Sequence, residues 1–262
     1  PIPIYNNNIW EAPPFSRVME MGSSFWVMME STRAETLVTF SSHSMSYKTL
    51  SEVDFWPVDL ISDDSAIYWK SYLYYNSGYY VKPIYNTVSM NMVSEPNLWK
   101  TFCAIYRQKR RWAYGVENFP ILARGFLKNR KIPFFKKIRC LCRMLDSHIS
   151  WATWAFIITI SGWLFIFVRA KAYNLTVLSF LTPKILGVIF NLAGISLVVA
   201  MILSVSLLPK TAGKKTAWNK FKFALQWLML PFIYPLLGAL PALDAQTRLL
   251  LGIKMEFEIT PK

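Results

Sequence analysis

The chain has 262 residues, enough for one or two ordinary domains, and 53% of them are hydrophobic, a share concentrated in residues 149–243. Its formal charge of +14 would suit a nucleic-acid partner, but its placement argues against one. Arg124, Lys128, Arg130, Lys131, Lys136, Lys137, Arg139 and Arg143 precede one apolar run, and Lys210, Lys214, Lys215, Lys220 and Lys222 lie between two others, the pattern of cytoplasmic segments facing anionic lipid. The cysteines, Cys103, Cys140 and Cys142, are odd in number and include a tight Cys-x-Cys, which fits a reducing compartment; no Cys/His set has zinc-site spacing.

In chain order, "TLVTFSS" (36–42) has the alternation and β-branching of a strand. "YKTLSEVDFW" (47–56) predicts a helix with Leu50, Val53 and Phe55 as its apolar positions. Residues 58–85 predict a loop, a helix, a turn marked by Gly78 and a strand ending near Pro83. A further helix is expected to start near Pro96 and carry "YRQKRRWAYG" (106–115). Strands alternating with helices predict an α/β layer over 1–120, resembling the tail end of a doubly wound domain. Residues 121–148 read as a basic interfacial helix or linker.

Residues 149–243 read as a transmembrane region. The run at 151–168 is 18 residues without a charge, just long enough to cross a hydrocarbon core of about 30 Å as a helix. Trp151, Trp154 and Trp163 suit its interfaces. The run at 185–208 has Asn191 as its one strongly polar residue. The third run, 224–243, is interrupted by Pro231, Pro235 and Pro241; it spans, re-enters or lies in the interface. The basic segments put 124–143 and 209–222 on the same, cytoplasmic side, and the 169–184 link, with Arg169, Lys171 and Lys184, outside. The expectation is a multi-pass protein of the cell membrane with residues 1–148 in the cytoplasm and 244–262 as a tail.

Two clusters carry candidate chemistry. Asp63 and Asp64 stand at the start of a predicted helix. They are explained by capping and by the helix dipole, or functionally as a carboxylate general base at a turn. Gln108, Arg111 and Trp112 fall on adjacent helical turns and present an amide, a guanidinium and a ring on one face. Arg suits phosphate oxygens and Trp a sugar face; a solvated or interfacial helix is the plainer explanation. Lys109 and Arg110 fall off that face and are expected to be surface charge. Asp244 and Arg248, four apart, are explained by a local salt bridge.

With "FSSHSMSYKTLSEVDFW" (40–56), "SDD" (62–64), "QKRRW" (108–112) and "FEITPK" (257–262) in that order, the chain resembles the C-terminal half of membrane-integrated family 2 glycosyltransferases, the group of cellulose, chitin and hyaluronan synthases. "SDD" stands where that family has Thr-Glu-Asp, and "QKRRW" is a full Gln-x-x-Arg-Trp match 44 residues after Asp64. "FEITPK" resembles a gating-loop segment, Phe-x-Val-Thr-x-Lys. The departures are Asp63 for Glu, and Ser42 and His43 where Gly and a small residue are common. The resemblance implies the C-terminal part of a GT-A-type α/β domain followed by transmembrane helices. It also implies inverting transfer of a sugar from a nucleotide-sugar donor to a growing polysaccharide or lipid-linked acceptor. Asp64 would be the catalytic base, with Asp63, Gln108, Arg111, Trp112 and His43 on the acceptor and diphosphate side and Phe257, Thr260 and Lys262 in the gating loop. A divalent metal, Mg or Mn, is implied, with its ligands mostly in an N-terminal donor-binding half; no Asp-x-Asp precedes Phe40, so the chain by itself is expected to bind nucleotide sugar poorly. "PIPIYNNNIWEAP" and "MGSSFWVMMESTR" would fit an acceptor-side insertion without assigned chemistry.

The alternative is a non-enzymatic multi-pass membrane protein, a channel or transporter subunit. It predicts polar groups inside the apolar runs, where Asn191 stands by itself.

Overall fold

Pro14 opens the first long helix at a position where its missing N–H costs no helical hydrogen bond. That helix, α1 (Pro14–Ser31), follows a short strand, β1 (Ile2–Tyr5). After α1 come α2 (Tyr47–Glu52), α3 (Asp63–Tyr74), a second strand β2 (Thr87–Met90) and α4 (Leu98–Ala113). A 3-10 turn at Tyr114–Glu117 leads into α5 (Asn118–Lys128), and then α6 (Phe134–Phe167) and α7 (Val177–Ser206). The computed structural model describes residues 1–40, 42–167, 177–209 and 216–256, with only the backbone given for 161–167, 178 and 179.

The α/β layer expected over residues 1–120 does not form. The chain is 68% helical, and its described strands make a two-stranded sheet, β1 parallel to β2, with Ile2 opposite Thr87 and Tyr5 opposite Met90. This is not an α/β GT-A fold. The misread segments show why. Leu37 and Thr39 are buried while Val38 and Phe40 are half-buried, so the alternation at 36–40 is real. Among the described residues no neighbouring strand offers a backbone ladder to residues 37–40, and they stay irregular. The strand expected to end near Pro83 instead begins at Thr87, where β1 supplies a partner. The turn before it is made by Asn76 and Ser77, at φ 52° and 69°, rather than by Gly78. The helix expected at 47–56 is cut short as α2, Tyr47–Glu52: Val53 is its C-cap, and Asp54 and Phe55 turn to left-handed φ. The helix expected near Pro96 is present as α4, capped by Asn97, whose Oδ1 accepts from Trp99 N at 2.7 Å.

The last helical stretch explains its prolines. It runs from Ala217 to Leu250 as α8 (Ala217–Leu225), a 3-10 turn (Gln226–Met229), α9 (Leu230–Tyr234), a π turn (Pro235–Ala239) and α10 (Leu240–Leu250). Pro231, Pro235 and Pro241 each sit at the first or second position of a new segment. A proline cannot donate to the carbonyl four residues back and its ring crowds that carbonyl. The chain relieves this by changing hydrogen-bond pattern without breaking the helix.

The main core joins both ends of the chain. Ile9, Val18 and Met21 pack with Ile105 of α4 and with Phe223 and Leu237 of the last stretch. Two described helical stretches are long and apolar enough to cross a membrane: Phe180–Ser206, none of whose apolar window is buried, and Ala217–Leu250, with 33% of its window buried. The first lies within the expected 185–208 helix extended upstream, and the second contains the 224–243 run. Residues 151–167 of the run at 151–168 form the end of α6, whose side chains are described to Ile160.

Candidate functional site

The start of α3 is tied to the end of α4, and this tie builds the site. Ser62 donates from its N–H and its hydroxyl to Glu117 Oε1, at 3.0 and 2.7 Å. The buried Asn118 amide donates to Ser62 Oγ at 2.9 Å, Ser65 Oγ at 3.1 Å and the Gly115 carbonyl at 3.2 Å. Glu117 and Asn118 lie four and five residues past Ala113, the last residue of α4. The acidic first turn of α3 is therefore held against the C-terminal end of the "QKRRW" helix.

Both faces open on one cavity of about 1650 Å³, lined by Asp63, Asp64, Gln108, Arg111, Trp112 and His43 among others. Asp64 Oδ1 accepts from Ser65 N at 2.8 Å, and the Asp64 carbonyl accepts from Thr39 Oγ1. The part of the capping reading that holds is local: Asp64 satisfies a first-turn N–H, while the N-cap residue Ser62 makes no side-chain capping bond. It is compatible with a second role, because the same side chain borders the cavity. Burial pushes the Arg111 guanidinium below its usual range, and the Asp64 and Asp63 carboxylates pull it back up. Gln108 is 3% exposed, and its Oε1 is buried without a hydrogen-bond partner among the described residues. A buried acceptor left unpaired costs about 1–3 kcal/mol, which a ligand hydroxyl would recover.

His43 reaches the cavity beside Trp56, ring centroids 5.5 Å apart. The backbone leading to Trp56 is strained: Asp54 and Phe55 both have left-handed φ, at 60° and 55°. Lys70 Nζ holds the pair, donating to the Asp54 carbonyl at 2.8 Å and the Phe55 carbonyl at 3.1 Å. The same cavity is also lined by Trp151, Trp154 and Ala155 of α6 and by Tyr234, Gly238 and Ala239, where the apolar stretches begin or bend.

Two expectations are corrected here. Lys109 is not surface charge: it is 2% exposed and paired with the fully buried Glu20 of α1, Nζ to Oε1 3.4 Å. It donates to Ser23 Oγ at 2.8 Å and lies 3.8 Å from the centroid of the Trp112 ring. Arg110 is not surface charge either; it bonds Asp244 Oδ2 at 3.0 Å, while Arg248 makes the expected bridge to Asp244 Oδ1 at 2.8 Å. The segment left without chemistry, 21–33, follows Glu20 directly, and its residues to Ser31 are on the same helix. One signal pointed there: Glu20 is an isolated acid among Val18, Met19, Met21 and Gly22.

Phe257, Thr260 and Lys262 lie outside the described residues. No group of three or more His, Cys, Asp or Glu able to hold a metal occurs among the described residues. The implied divalent cation therefore has no complete ligand set among the described residues. On a smaller scale, Arg111 also borders a second pocket of about 200 Å³ with Arg107, Arg110, Arg248 and Lys254. No family model, curated protein or solved structure matches the chain.

Proposed function

We propose that the chain is part of a membrane-associated, inverting glycosyltransferase that moves a sugar from a nucleotide-sugar donor to a polysaccharide or lipid-linked acceptor. One observation carries the reading: the acid pair Asp63 and Asp64 and the cluster Gln108, Arg111 and Trp112, whose first member is 44 residues after Asp64, line the same cavity. The proposal concerns the site, not a fold class.

In this reading the Asp64 carboxylate takes the proton of the acceptor hydroxyl as its oxygen attacks the anomeric carbon. The bond from that carbon to the phosphate oxygen breaks, and the nucleoside diphosphate leaves with the electron pair. Arg111 balances the growing charge on the diphosphate. Gln108 Oε1 accepts from an acceptor hydroxyl, and Trp112 and His43 pack against the sugar. Phe257, Thr260 and Lys262 cover the donor. The acceptor leaves along the wall formed by Trp151 and Trp154, toward the 151–168 and 185–208 helices. The chain crosses the membrane of the cell more than once, keeping residues 1–148 in the cytoplasm.

The test uses membranes from cells expressing the full-length protein that contains this chain, supplied with labelled nucleotide sugars. Asp64→Asn keeps an oxygen for Ser65 N, so capping survives while the base is removed. The expected result is a loss of transfer of about 10²–10⁴-fold with unchanged membrane insertion. Retained transfer by Asp64→Asn removes Asp64 as the base. Absence of label transfer by the unmodified protein with every donor overturns the reading.

A further inference from the structure

We propose that Glu20 and Lys109 form a buried positioning pair that holds the Trp112 ring at the cavity wall. The proposal extends the reading above, because Trp112 is there the acceptor contact. Its physical basis is independent of that reading.

The pair is expensive unless it does something. Both groups are removed from water, at 0% and 2% exposure, and neither Glu20 oxygen accepts a hydrogen bond among the described residues. Apolar side chains of similar size commonly serve stability as well as or better than such a pair. What apolar residues cannot supply is direction. Glu20 fixes the Lys109 ammonium from α1 at 3.4 Å, and Ser23, one turn along the same helix, accepts its hydrogen bond at 2.8 Å. Aimed this way, the ammonium lies 3.8 Å from the centre of the Trp112 ring, well inside the range of a cation–π contact. Lys109 and Trp112 are three apart on α4, so the contact bridges one turn of the helix that also carries Gln108 and Arg111. Lys109, Ser23 and Trp112 all line the cavity. The chain of contacts runs from α1 through the ammonium to the ring. Glu20 and Lys109 act through Trp112 and are positioning residues.

The test compares Lys109→Met, the double variant Glu20→Met with Lys109→Met, and Lys109→Arg in the full protein in lipid nanodiscs. Three readouts are taken: the unfolding midpoint, oxidation of Trp112 by hydroxyl radicals mapped by mass spectrometry, and the KM for acceptor. The single variant is expected to unfold much earlier. The double variant recovers the midpoint, yet its Trp112 oxidation rises at least fivefold while Trp99 is unchanged. Lys109→Arg, which keeps a cation for the ring, restores protection. Should the double variant fold poorly, Ser23→Ala replaces it, with about a twofold rise in Trp112 oxidation. Where the unmodified protein transfers sugar, acceptor KM rises with the oxidation and kcat holds. Trp112 oxidation equal to the unmodified protein in a stably folded double variant, or in Ser23→Ala when that variant stands in, overturns the proposal. Absence of sugar transfer by the unmodified protein leaves the oxidation result standing and removes only the acceptor assignment.

Discussion

Helices α4 and α7 are built on opposite plans. α4 carries five basic residues, Lys100, Arg107, Lys109, Arg110 and Arg111, yet it runs through the middle of the fold and buries Ala104, Ile105, Gln108 and Lys109. α7 is almost wholly apolar, yet the window that makes it a membrane candidate is not buried at all. Polarity in this protein therefore does not track depth. In water α7 would be the misplaced element, with Ile195, Leu192 and Val188 each about 60% exposed. Facing lipid it is the ordinary one, because hydrocarbon accepts its apolar surface and its backbone is internally bonded. α4 is tolerated inside because its charges are paired: Lys109 with Glu20, and Arg110 with Asp244.

That contrast can be broken from either side. The largest effect is expected from Lys109→Met. It strands the Glu20 carboxylate in the core and is expected to cost about 3–5 kcal/mol, read as a lowered unfolding midpoint in detergent. A loss below about 1 kcal/mol would mean that Glu20 is solvated and α4 is not an interior helix.

The converse change is Ile195→Lys in α7. It touches no core contact and is expected to leave the midpoint unchanged. It should weaken membrane insertion by about 2.5–3.5 kcal/mol, read by alkaline extraction of membranes. A lowered midpoint with normal insertion would mean that α7 packs on protein instead of lipid.

Gly22→Ala sharpens the boundary between the two regions, where α1 meets the last helical stretch. The added Cβ would fall 2.8 Å from the Tyr234 hydroxyl. Overpacking there is expected to cost about 1–3 kcal/mol, and Tyr234→Phe in the same chain should recover most of it. Failure of that recovery would show that the close approach is not the cause.

The smallest effect belongs to Arg248→Ala. Its side chain is about a third exposed, and Asp244 keeps its bond to Arg110. A change below about 1 kcal/mol is expected by double-mutant cycle with Asp244→Ala. A larger coupling would make Arg248 part of the support that α10 gives α4 through Asp244.

The candidate site was largely legible before folding. Asp63, Asp64, Gln108, Arg111 and Trp112 were singled out by the motif resemblance, where type and spacing alone favoured plainer explanations, and they line one cavity. The start of α4 was also legible, because Asn97 and Pro96 are local stop-and-start signals. The strands were not. Thr36 to Phe40 has strand-like alternation, but a strand exists only where another backbone completes its hydrogen bonds, and that partner is a long-range fact. Lys109 failed for a related reason: local pattern put it on the outer face, and its acid lies 89 positions away on another helix.

Local chemistry by itself therefore determined where helices begin, where charge gathers and which stretches are apolar enough for a membrane, since each depends on neighbours within a few turns. Tertiary structure decided the rest. It chose the one parallel strand pair, carried the prolines through a continuous helix, and drew Glu20 and Lys109 together in the core. Each of those outcomes depends on a partner distant in sequence or on the packing around the segment, and no local window contains it.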